Sequence, residues 1–190
     1  GGDNLNTKMS AKDISYIALF ATLISVSGYI FIPLPFSTVP VTAQTLAVML
    51  AGSLMTPGKS AFCIMVFLLM GAAGLPVFSG GASGFGYIVG KTGGYLMGFL
   101  AGAVVISLIR GRNAGFCRSF IANAIGGILV VYTFGALWLS FITKMSLLNS
   151  VIYGVLPFIP GDILKASAAS VLAARLEKAS PFYLRTPKSN

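Results

Sequence analysis

Two ionisable residues of opposite charge, Asp162 and Lys165, stand three positions apart in FIPGDILKASAASVLAA, a stretch otherwise built of apolar and small residues. An i,i+3 spacing puts both side chains on one face of a helix, close enough to pair. A carboxylate and an ammonium held together at membrane depth can read a ligand that carries both donors and acceptors. They can also carry a proton, or act as acid and base in a reaction. A purely structural ion pair is the plain alternative, but the attraction within a buried pair often fails to offset its desolvation. An ionisable group in hydrocarbon costs at least about 2.5–3.5 kcal/mol, so such residues face a cavity or the interior of a bundle. Pro157, Pro160 and Gly161, just before the aspartate, predict a broken or kinked helix whose freed backbone groups line that cavity.

Other residues with binding chemistry cluster in two loops and at the ends of apolar runs. Gln44 brings an amide with both donor and acceptor. Phe36, Tyr87 and Trp138 bring aromatic faces, which belt positions at a membrane interface explain equally well when each is taken alone. The stretch LPVFSGGASGFGYIVGKTGG, with Gly81, Ser83 and Lys91, is long and glycine-rich, and a long loop without secondary structure of its own is a candidate lid. It is not a phosphate-binding loop. The motif G-x-x-x-x-G-K-[ST] needs glycine where Phe85 stands. Glycine then recurs every four residues at 86, 90, 94, 98 and 102, which predicts close helix packing through a small-residue face. A second small-residue stripe, Ser15, Ala18, Thr22 and Ser25, suits either internal packing or the docking of a partner helix.

The elements that must position these residues are membrane helices. Of 190 residues 56% are hydrophobic and only 9% charged, which excludes an ordinary soluble domain. Apolar runs long enough to cross a bilayer are placed at 13–32, 41–57, 60–75, 93–110, 118–142 and 149–175. The first is read as a span and not a signal peptide, and the leading GGDNLN as a flexible tail or expression remnant. The expected organisation is a tail over 1–12, a six-helix unit over 13–176 and a cytoplasmic tail over 177–190. Of the thirteen Lys and Arg residues, ten fall on one side of this map: Lys8, Lys12, Lys59, the Arg110–Arg118 cluster and those from Arg175 onward. Lys91 and Lys144 fall on the other, and Lys165 lies inside a span. By the positive-inside rule both termini are cytoplasmic. The Phe36–Gln44 and Gly80–Lys91 loops and the outer half of the last span are then extracellular.

The formal charge of +9 comes from residues at the ends of apolar runs, a pattern of membrane orientation and not of nucleic-acid binding. There is no histidine, and neither Cys63 nor Cys117 has a metal-ligand partner at a suitable spacing, so no metal or cofactor is expected.

Four stretches together, VPVTAQTLAVMLAG, LMGAAGLPVFSGGASG, YIVGKTGGYLMGF and FIPGDILKA, carry a family resemblance. Over essentially its full length the chain resembles BioY, the biotin-binding S component of energy-coupling factor (ECF) transporters. The resemblance implies an all-α membrane protein of six transmembrane helices in a bacterial plasma membrane. Such a subunit is not an enzyme; it binds biotin from outside and works with a transmembrane coupling subunit and two ATPase subunits. The family's Ala-x-x-x-Ala pattern on helix one, which contacts the coupling subunit, falls on Ala18 and Thr22, with threonine in place of the second alanine. Lys91 fills the basic position before TGGY. For biotin, Asp162 would accept from a ureido N–H, Lys165 would donate to the ureido carbonyl, and Tyr87, Trp138 and Phe36 would enclose the rings. Lys91 would meet the valerate carboxylate, or exchange roles with Lys165. Two rivals use the same charged pair: a proton-coupled secondary transporter, for which no inverted repeat is evident, and an intramembrane enzyme, for which no activated nucleophile is visible.

Overall fold

The structure, a computed structural model, describes residues 9–37 and 39–179. Lys8, Arg185 and Lys188, and most of both expected tails, lie outside these residues. Helix α1, Ala11–Ser27, opens on a capping box in which Ser10 and Asp13 satisfy each other's backbone N–H groups. Asp13 also meets Lys59 at 2.5 Å, tying the start of α1 to the start of α3. The chain leaves α1 before residue 32, because Pro33 and Pro35 cannot continue a helix. Phe31–Ile32 (β1) instead pairs antiparallel with Val41–Thr42 (β2), with Phe31 opposite Thr42. This small ribbon hands the chain to α2, Gln44–Leu54. Pro57 then starts α3, Pro57–Ala72, at the position where its missing N–H costs nothing.

The expected lid is more structured than a bare loop. It holds a 3-10 turn at Ser79–Gly81 and a one-turn helix α4, Phe85–Ile88. Backbone bonds from Gly80 N to Gly28 O (2.9 Å) and from Gly84 N to Gly71 O (2.7 Å) pin it to the neighbouring helix ends. Phe78 plugs beneath it, its ring flush against the backbone of Gly71, where even a methyl group would collide.

Helix α5, Gly93–Arg110, follows the sequence expectation and is packed against α2, α3 and the next span. Its glycines make that packing possible. A Cβ at Gly98 would lie 2.8 Å from Val131 Cα, while one at Gly94 would strike Trp138 and one at Gly102 the carbonyl of Gly126. The four-residue repeat is thus a packing face within α5. The partner is one long helix, Phe116–Thr143. It runs through α6 (Phe116–Asn123), a π-helical segment (Ala124–Val130) and α7 (Val131–Thr143). The final apolar run is two helices, α8 (Leu147–Gly154) and α9 (Ile159–Ala179), bent by 59° where Pro157 and Pro160 interrupt the backbone ladder.

By length and composition two helices, Gly93–Arg110 and Phe116–Thr143, can cross a membrane, and the bent pair makes a third if it is one span; α2 and α3 are apolar but shorter. Large apolar side chains such as Leu19, Leu69, Leu108, Leu129, Phe141 and Leu164 point outward. So much exposed apolar surface marks a face for lipid and not for water. Helix α9 continues through the expected boundary at 176, and Glu177 belongs to the folded unit: it pairs with the fully buried Arg110 at 2.6 Å.

Candidate functional site

The bend before α9 delivers Asp162 to the first turn of that helix, where its N–H bonds to Phe158 O at 2.9 Å. The residue is 2% exposed. Lys165, one turn on, donates to Asp162 Oδ1 at 2.7 Å. Thr45 of α2 donates its hydroxyl to the same oxygen at 3.0 Å, and Tyr132 of α7 donates its phenol O–H to Oδ2. The lysine also reaches Thr42 O at 2.6 Å and Thr45 Oγ1 at 3.0 Å.

An ammonium has three donors, and all three of Lys165 are used within the protein. A carboxylate has about four acceptor directions, of which Asp162 has filled three, leaving one on Oδ2. At rest the cluster is therefore a nearly saturated network with a single acceptor to spare.

These groups border a cavity whose other walls include Val39 and Pro40 of the ribbon loop, Ser79 and Tyr87 of the 73–92 loop, Tyr95, Leu96 and Phe99 of α5, and Phe158. The cavity is narrow, with about 60 Å³ open to the centres of water-sized molecules, room for a few waters at ~10–15 Å³ each. The Ser79 hydroxyl is buried with no hydrogen-bond partner, alone in this among the described buried side-chain N and O atoms. An unpaired buried hydroxyl is costly in a sealed core and useful at a binding site.

Of the residues chosen from sequence, the structure brings Asp162, Lys165, Gln44 and Tyr87 to this cavity. Gln44 spends both amide donors on Ile24 O (3.3 Å) and Val77 O (3.1 Å), so its carbonyl oxygen is the part left for a ligand. Tyr87 stacks on Phe78 with ring centroids 5.1 Å apart. The others stand off it. Trp138 lies behind the 73–92 loop, its indole N–H bonded to Gly90 O at 2.8 Å and its ring against Gly93 and Gly94. Phe36, Lys91 and Ser83 are exposed, and Gly81, at φ 79°, packs under the ring of Tyr29. Ala18 and Thr22 lie exposed on one face of α1, whereas Ser25 of the same stripe is buried. No group of three potential metal-ligating side chains occurs among the described residues.

Sequence reasoning missed Thr42, Thr45, Ser79 and Tyr132. Thr45 directly follows Gln44 in TAQT. Tyr132 carries a hydroxyl in the middle of an apolar span, where a buried phenol needs a partner. Both signals were available but weak.

A helical bundle with an apolar outer face and, among the described residues, a buried, charged, partly open cavity has the shape of a membrane protein with a small-molecule site. Comparison with known proteins makes this specific. A family model described as the BioY family matches residues 4–182. A probable biotin transporter BioY from Pyrococcus horikoshii is 36% identical over 169 residues, covering 89% of this chain and 98% of that protein. The biotin transporter BioY of Rhizobium etli is 37% identical over 173 residues, covering 86% and 92%. Among solved structures, the crystal structure of the S component for biotin from an ECF-type ABC transporter superposes with a TM-score of 0.83 at 31% identity, covering 97% of this chain and all of that one. The chain belongs to the BioY family.

Proposed function

We propose that the chain is the biotin-capturing membrane subunit of an ATP-driven importer of the ECF type. It spans the bilayer six times with both termini in the cytoplasm, and it takes biotin from the outer side into the cavity between α2, α5, α7 and α9. The observation that carries this reading is the Asp162 cluster: one open carboxylate acceptor beside an unpaired buried hydroxyl, Ser79, in an otherwise largely apolar cavity. Ligand pockets combine a mostly apolar wall with a few placed polar groups. Biotin presents a ureido group, an apolar fused ring and a carboxylate chain, which such a wall can sort.

Asp162 accepts one ureido N–H at its open position. Ser79 and the Gln44 carbonyl supply further polar contacts, and Tyr87, Tyr95 and Phe158 supply ring faces. A direct bond from Lys165 to the ureido carbonyl requires the lysine to give up one of its present acceptors. Thr42 O is the one whose release also frees the ribbon loop. The ribbon loop and the 73–92 loop both border the cavity, and in this reading biotin enters between them and binding closes them over it. Lys91, exposed in the 73–92 loop, meets the valerate carboxylate once the loop has closed.

The exposed Ala18–Thr22 face of α1 docks a transmembrane coupling subunit, which two ATPase subunits drive. The ten-to-two split of basic residues supports the orientation. In cells that lack their own biotin import, labelled biotin should accumulate when the chain is expressed with its coupling and ATPase subunits, and accumulation should stop when the ATPases are inactivated. Concentrative uptake by the chain alone that collapses with the proton gradient would overturn the proposal in favour of a secondary transporter.

A further inference from the structure

The long helix Phe116–Thr143 is not α-helical throughout. Over Ala124–Val130 it is a π-helix, whose hydrogen bonds reach one residue further than the α pattern. Two buried polar side chains flank this segment, and both reach α9. Asn123 donates to Ser170 Oγ at 3.0 Å, and Tyr132 donates to Asp162 Oδ2. The two are nine residues apart. At about 100° per residue, a straight α-helix would put them on opposite faces, about 180° apart.

The π segment removes that conflict. Buried pairs along the helix fall at Ala122/Asn123, Gly126/Gly127, Val131/Tyr132 and Gly135/Ala136. The step from the second pair to the third is five residues, where its neighbours are four. One extra residue is taken up in the wide turn, and the flanking faces stay aligned. Gly126 and Gly127 let this turn lie directly against Gly102 and Met49, where side chains would collide.

We propose that Tyr132 is a positioning residue for ligand recognition, set by the π segment so that its phenol occupies one acceptor direction of Asp162 and turns the last one toward the cavity. This deepens the biotin reading above and rests on it. With Oδ1 held by Lys165 and Thr45, and Oδ2 held on one side by Tyr132, the carboxylate can neither rotate nor accept two new donors. It is tuned to a single N–H, the number that one edge of a cyclic urea presents. Without the phenol the group gains a second vacant position and rotational freedom, and its recognition of one N–H becomes less favourable.

The test is biotin binding by the purified full chain in detergent, for wild type, Tyr132→Phe, Asp162→Asn and their combination. Phenylalanine keeps the ring and its packing. The expected loss for Tyr132→Phe is about tenfold or more, in line with removal of a hydrogen bond to a charged group. That loss should vanish in the Asp162→Asn background, where the positioned group is already gone. An equal loss in both backgrounds, or a loss under twofold in wild type, overturns the inference while leaving biotin capture standing; no binding by wild type overturns both.

Should Asp162→Asn bind too weakly to measure, a register variant decides. Deleting Leu129, which faces outward, leaves Asn123 and Tyr132 eight residues apart, about 80° in a plain α-helix. This shortened chain should still bind biotin, and Tyr132→Phe should cost it the same factor as in wild type. A deletion variant that folds but has lost biotin, or one indifferent to Tyr132→Phe, contradicts the proposal.

Discussion

Replacing Lys165 by methionine keeps a long unbranched stem but removes an ammonium that bonds Thr42 O at 2.6 Å, Thr45 Oγ1 at 3.0 Å and Asp162 Oδ1 at 2.7 Å. The side chains of the pair are 18% and 3% exposed for lysine and aspartate. This is far from a surface bridge worth a few tenths of a kcal/mol. Truncating one partner of a buried pair costs about 3–5 kcal/mol, most of it from the orphaned charge. The partial exposure of the lysine puts the expectation at the lower end, about 3 kcal/mol. Because the penalty resides in the unpaired Asp162 carboxylate, adding Asp162→Asn should recover at least about 1 kcal/mol and make the double variant more stable than Lys165→Met alone. The assay is unfolding in detergent followed by thiol labelling, since Cys63 is fully buried and Cys117 is exposed and can be substituted beforehand. Two strictly additive single losses, or a Lys165→Met loss below about 0.5 kcal/mol, would refute the view that the pair is a coupled, desolvated unit.

Gly98→Ala should cost about 1–3 kcal/mol through overpacking, since its Cβ would meet Val131 Cα at 2.8 Å. It should also weaken biotin binding, because the displaced backbone is next to Tyr132. Gly86→Ala, with nothing within 4 Å, is the neutral control in the same unfolding assay. Arg110→Leu should cost about 3–5 kcal/mol, as its guanidinium joins Ser53 O, Ser119 and Glu177 in a fully buried position. Biotin affinity measured on the folded fraction should stay within about threefold, since this cluster lies at the opposite end of α5 from the cavity. Trp138→Phe removes the bond to Gly90 O, a loss of about 0.5–1.5 kcal/mol. If the 73–92 loop closes over biotin as proposed, it should appear as faster biotin release in a chase experiment, because that bond holds the loop's return to α5.

The sequence displayed the helices best where packing and composition agree. The Gly94, Gly98 and Gly102 face of α5 reads directly as a close-packed span because small residues at a four-residue repeat admit few other uses. The break before α9 was legible in PFIPG, since two prolines within four residues cannot sit in an unbroken helix. The ribbon Phe31–Ile32 with Val41–Thr42 was not, because strands of two residues carry no periodicity and lie among prolines. The π segment was equally hidden. Its signal is a one-residue slip in the burial pattern of a run that is apolar all round, so the face of Tyr132 could not be assigned from hydrophobicity. Asp162 and Lys165 stood out because charges are expensive at membrane depth, and Gln44 because its amide both donates and accepts. Thr45 and Ser79 did not, because a hydroxyl can satisfy itself locally on a helix, as Thr22 does with Ala18 O at 2.8 Å. Trp138 was conspicuous by type, yet its indole bonds the backbone of Gly90 and does not line the cavity wall.

Equilibrium binding of biotin to the purified chain decides whether the Asp162 cluster reads a ureido group. Wild type should bind one biotin per chain, and Asp162→Asn should weaken binding by about 10- to 100-fold, as expected for exchanging a charged acceptor for a neutral one. Unchanged affinity in Asp162→Asn, or a wild-type chain that binds no biotin, would contradict that reading.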